Sequence, residues 1–115
     1  MAYISRTTID VTGATASGES DIIHGFLTQI LINFDGVGAS TVVAIKQTLN
    51  GVEETLYTTP AGNTDLVKRI ELPTVDSTNT TTGQSVMPFI PGSRLDFDVS
   101  DSSVGTIDIW IISTG

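Results

Sequence analysis

The chain has 115 residues and a formal charge of −8, with five Lys and Arg against thirteen Asp and Glu, one histidine and no cysteine. That length fits one domain able to bury a core, and the missing cysteine excludes a disulfide framework, a thiolate metal site and a cysteine nucleophile. Arg6, Lys46, Lys68, Arg69 and Arg94 stand singly or paired, too dispersed to neutralise a phosphate backbone, and no run is apolar enough to span a membrane, so neither nucleic acid nor membrane is expected as a partner.

Thr, Ser and Gly are frequent while Leu, Lys, Glu and Ala are sparse, which is a β composition. Met1-Ala2-Tyr3-Ile4-Ser5-Arg6 lacks the layout of a signal peptide, so the chain is expected to be soluble and unprocessed. A first strand is expected over Ser5 to Thr12, with Thr7, Ile9 and Val11 on one face and Arg6, Thr8 and Asp10 on the other. Gly13 to Ser20 is small, polar and aperiodic and reads as a loop. In the second strand, Ile22 to Phe34, strict alternation groups Ile22, Phe26, Ile30, Ile32 and Phe34 on one face and Ile23, Leu27 and Leu31 on the other. A strand that is apolar on both faces is central, or half of it meets another subunit.

Asp35-Gly36-Val37-Gly38 breaks that strand, and Thr41 to Leu49 resumes it. Asn50-Gly51 accepts the positive φ angles of a type I′ turn, so Thr41 to Leu49 should pair with Val52 to Thr59. Pro60 to Asn63 closes that hairpin, and Leu66 to Leu72 is a shorter strand. Thr74 to Gln84 reads as an exposed, mobile polar loop. Ser85 to Ile90 is a short strand carrying Pro88, and Pro91-Gly92 is a turn. Two alternating strands then close the chain, joined by the tight turn Asp101 to Gly105 and pairing as neighbours. Leu95, Phe97 and Val99 face inward from one, and Ile107, Ile109 and Ile111 from the other. Trp110 and Ile112 are left on the outward face. The whole reads as a single-domain antiparallel β-sandwich over residues 1–115, jelly-roll-like, with about seven to eight strands.

Little in this pattern carries chemistry. His24 has no oriented partner implied by spacing, so a structural role is favoured over general base catalysis. One histidine without cysteine leaves no transition-metal set. Asp96 and Asp98, about 7 Å apart on one strand face, could join the Asp101 loop in holding Ca²⁺ or act as a glycosidase pair, but neither the calcium-loop order nor any other specific signal accompanies them. Gly13 to Gly18 lacks the basic residue and helix of a phosphate loop. No cofactor is expected. Trp110 and Tyr57 could form an aromatic sugar platform, although a subunit contact or the base of the core is the commoner place for such a tryptophan. Trp110, Ile112, Ile23, Leu27, Leu31 and Tyr57 are the interface candidates.

The layout resembles the small β-sandwich cement or decoration proteins of tailed-bacteriophage capsids. The resemblance is carried by Arg6 to Thr12 with its Gly/Ser/Thr loop, by Gly25 to Phe34, and by Pro88 to Val99 with Gly105 to Ile109; Glu53 to Leu72 contributes nothing to it. It implies a non-enzymatic virion protein, made in the host cytoplasm and placed on the capsid surface. Its partner would be the major capsid protein, and copies would assemble as a dimer or trimer around symmetry axes. A carbohydrate-binding or fibre-tip module and a tail or baseplate subunit are the competing expectations.

Overall fold

The computed structural model describes residues 2–75 and 81–115, with side chains over 2–72 and 86–115. Nine strands and no helix make up the described residues: β1 (Ala2–Val11), β2 (Ala16–Asp35), β3 (Val42–Leu49), β4 (Val52–Thr58), β5 (Leu66–Lys68), β6 (Leu72–Val75), β7 (Thr81–Val86), β8 (Phe89–Ser100) and β9 (Gly105–Thr114). Seven of them form one antiparallel sheet in the order β1-β9-β2-β8-β3-β4, with β5 also on β2, while β6 and β7 pair separately. The first strand pairs with the last and the second with the one before it, a nested order like that of a jelly roll.

The fold turns on β2. Its first half pairs with β8, from Ala16↔Val99 to Phe26↔Phe89, and its second half with β9, from Phe26↔Thr114 to Asp35↔Thr106. Phe26 therefore has β8 on one edge and β9 on the other. The bend between the halves is centred on Gly25, whose φ is +118° and where a Cβ would stand 2.3 Å from the Thr114 carbonyl oxygen. Only glycine combines that backbone angle with so close an approach.

Folding one sheet at β2 sets its two halves face to face. Leu95, Phe97 and Val99 of β8 and Ile107, Ile109 and Ile111 of β9 join one core cluster, each at most 2 % exposed. The closing strands are thus not hairpin neighbours, as the short turn between them implied. They flank β2 on opposite edges, because an arch across the core buries both inward faces against each other.

Several local expectations are corrected. Ala16 to Ser20 is strand, because β8 supplies a pairing edge that a local reading cannot see. The faces of β2 are not the alternating sets: Ile23, Leu27, Ile30 and Ile32 all point into the core, whereas Ile22 and Phe26 are exposed and Leu31 partly so. The cause is Thr28, the extra residue between the pairs Leu27↔Ser113 and Gln29↔Ile112. One inserted residue exchanges the two faces beyond it.

A second bulge sets Ser20 and Asp21 opposite Leu95, whose N–H donates to Ser20 Oγ at 2.9 Å. Pro91-Gly92 is a bulge inside β8 rather than a turn: Gly92, at φ +84°, is the extra residue between Ile23↔Ser93 and His24↔Pro91. The Leu66 to Leu72 strand divides into β5 and the start of β6. Part of the expected polar loop, Thr81 to Gln84, belongs to β7, and residues 76–80 of it lie outside the described residues. The Asn50-Gly51 hairpin forms as expected, with φ of 51° and 78° and Leu49 opposite Val52.

Candidate functional site

The folded sheet leaves two outer faces, and their chemistry is opposite. On β1, β9, β2 and β5 the register lines up Arg6, Trp110, Leu31 and Val67 in one row across four strands. The next row holds Ile4, Ile112 and Gln29. Ile4 and Val67 are 68 % and 61 % exposed, and Trp110, Ile112 and Leu31 partly exposed. The third row, Thr8, Asp108 and Asn33, is polar. Arg6 covers Trp110, its guanidinium carbon 5.1 Å from the ring centroid, and ion-pairs with Asp108 at 3.2 Å. Hydrogen bonds from Thr8 and then Arg6 hold the Asp108 carboxyl below its ordinary range against the opposing effect of burial.

On the other outer face, Ser17 and Glu19 of β2, Asp96 and Asp98 of β8 and Glu53 of β4 surround a shallow depression. Lys46 of β3 lies among them, its Nζ 2.9 Å from Asp98 and 3.3 Å from Glu53. These two bonds raise the lysine pKa above its ordinary value. Asp98 is thus committed to a lysine, and among the described residues no group of three or more His, Cys, Asp or Glu is placed to hold a metal ion.

No protein-family model matches this sequence. No curated protein matches it either. Among solved structures, the enzymatically active domain of tailspike protein 4 from bacteriophage CBA120 aligns with a TM-score of 0.36 and 16 % identity, over 97 % of this chain and 19 % of that one. The chain therefore spans about a fifth of that structure's length, and overlap this low carries no argument about fold or function.

The structure brings three of the six interface candidates, Trp110, Ile112 and Leu31, onto one outer face. Ile23 and Leu27 are core residues, 4 % and 0 % exposed, turned inward by the register of β2. Tyr57, opposite Ile45 in β4, packs against the core, and desolvation raises its hydroxyl pKa above the ordinary value. It stands on the inner side of a strand at the far end of the sheet from β9, so Tyr57 and Trp110 form no shared platform. His24 is exposed and meets the Phe89 ring edge-on at 5.5 Å. Ile4 and Val67, the most exposed apolar members of the apolar face, were missed in the sequence because Ile4 precedes the first alternating run and Val67 sits in a three-residue strand. No helix among the described residues is long and apolar enough to cross a membrane.

Proposed function

We propose that this chain is a non-enzymatic structural protein of a tailed-bacteriophage virion, a decoration protein that docks on the major capsid protein shell through the outer face of β1, β9, β2 and β5. The observation that carries this reading is the chemical opposition of the two outer faces. An exposed apolar row gains by being covered. A face bearing Glu19, Glu53, Asp96 and Asp98 is suited to water and repels like copies, which keeps neighbours from associating nonspecifically. Ile4, Leu31 and Val67 are the apolar contacts, and Arg6, already seated on Trp110, forms the polar rim. Copies at a symmetry axis would bring these faces onto adjoining capsid subunits.

The test is co-sedimentation of the purified chain with expanded shells of the major capsid protein from the phage that encodes it. Binding lost in Leu31→Asp and Val67→Asp and retained in Glu19→Gln supports the reading. Absence of binding to the shell, with antibody labelling of the tail in intact virions, supports the tail or baseplate subunit instead.

A further inference from the structure

β1 is hydrogen-bonded to β9 along one edge, and residues 16–25 of β2 to β8 along one edge, so each has a second edge without a strand partner. These two edges are turned toward each other. Among the described residues no backbone hydrogen bond joins them. They are linked by side chains alone: Thr7 Oγ1 donates to the Glu19 carbonyl at 3.4 Å and Ser5 Oγ to the Asp21 carboxylate at 3.3 Å. Beyond Ser5 a cavity of about 390 Å³ separates them, walled by Tyr3, Ile4, Asp21, Ile22 and His24, within the size range of ligand clefts.

Three features of this cleft point to the same occupant. Unpaired strand edges offer rows of N–H and C=O groups to any extended chain. The lips, Ile4 and Ile22, are 68 % and 65 % exposed, more apolar surface than an unoccupied cleft calls for. Asp21, at the Ser20-Asp21 bulge, has no cation within ion-pair distance among the described residues. We propose that the cleft binds an extended segment of a partner polypeptide as a short added strand, with an apolar side chain between Ile4 and Ile22 and a lysine or arginine beside Asp21. The proposal goes beyond the capsid reading and does not rest on it, since any protein presenting such a segment fits.

The probe is a capped pentapeptide of alternating valine and lysine, titrated into the ¹⁵N-labelled intact chain. The amides of Tyr3, Ser5, Asp21 and Ile23 should shift together, with saturation in the millimolar range. A glutamate-for-lysine peptide, and one with proline at the central valine, which removes an N–H from the added strand, should produce no saturable shift. Asp21→Lys should weaken binding of the lysine peptide about fivefold, the scale of an exposed charge pair, while Asp10→Lys should leave it unchanged. Shifts centred on Glu19, Asp96 and Asp98, equal binding of the proline peptide, or no shift at all would each overturn the proposal. No capsid enters this experiment, so its failure is separable from failure of the shell-binding test.

Discussion

At the residue scale, single atoms decide whether the sheet can fold on itself. A methyl group at position 25 would overlap the Thr114 carbonyl at a φ of +118°, whereas at Gly51, φ +78°, the space around a Cβ is open. Gly25→Ala should therefore cost about 3 kcal/mol or more, combining strain with a clash that only backbone movement can relieve. Gly51→Ala should cost about 1 kcal/mol, the strain alone. Urea denaturation of the two variants checks the difference, and equal costs would show that the Gly25 crossing yields easily.

Asp108 gives a prediction in pH. Its folded pKa lies below the ordinary 3.8 because the charged form accepts hydrogen bonds from Thr8 and Arg6. A group whose pKa is depressed on folding contributes its full stabilisation above the unfolded value, and this is lost as pH falls through the folded value. Wild type should exceed Asp108→Asn in melting temperature at pH 6, and the gap should begin to narrow below about pH 4 and go on narrowing as pH falls through the lower folded value. A gap that persists at pH 2 would assign the effect to shape rather than charge. Because the Arg6–Asp108 pair is solvent-facing, its part of the gap should also shrink in high salt.

At the scale of elements, β2 is the decisive strand, and its bulges give it two partners. Deleting Thr28 would make Leu27↔Ser113 and Gln29↔Ile112 neighbouring pairs of a regular ladder, with Ile30 and Ile32 still inward and Leu31 still outward. Inserting one residue between Gln29 and Ile30 would instead exchange the faces beyond it. The insertion should abolish cooperative folding and the deletion should not, while Thr28→Ala, which loses only the hydrogen bond to the Ile112 carbonyl at 2.9 Å, should cost about 1 kcal/mol. Loss of folding is read as collapse of amide dispersion in the ¹⁵N spectrum.

The same element marks where the sequence stops being legible. The alternation of Thr7, Ile9 and Val11, of Leu95, Phe97 and Val99, and of Ile107, Ile109 and Ile111 is local, and so is the Asn50-Gly51 turn; all of these were readable. Thr28 carries no bulge signature, since its place is set by pairing with residues more than eighty positions away. That one residue misassigned Ile23 and Leu27 as interface candidates. Trp110 and Ile112 were readable as outward because β9 has no bulge, but Arg6 lying over Trp110 depends on the register of β1 with β9, which no local pattern specifies.

At the scale of the whole molecule, one core and two unlike outer faces summarise the chain. Phe97 is fully buried between the halves of the folded sheet, so Phe97→Ala should cost about 3–5 kcal/mol, measured as a shift of the denaturation midpoint with the slope unchanged. That core holds the apolar outer face with Ile4, Leu31, Trp110 and Val67 on one side and the acidic depression on the other. The two-faced arrangement is the basis for assigning the chain a docking role.

Hydroxyl-radical footprinting of the chain, free and in purified virions, tests this most directly. The account predicts that Ile4, Leu31 and Val67 become protected in the virion while Leu49 and Val52, exposed at the Asn50-Gly51 hairpin, are modified as fast as in the free chain. Protection of Leu49 and Val52 with Val67 left reactive would contradict it.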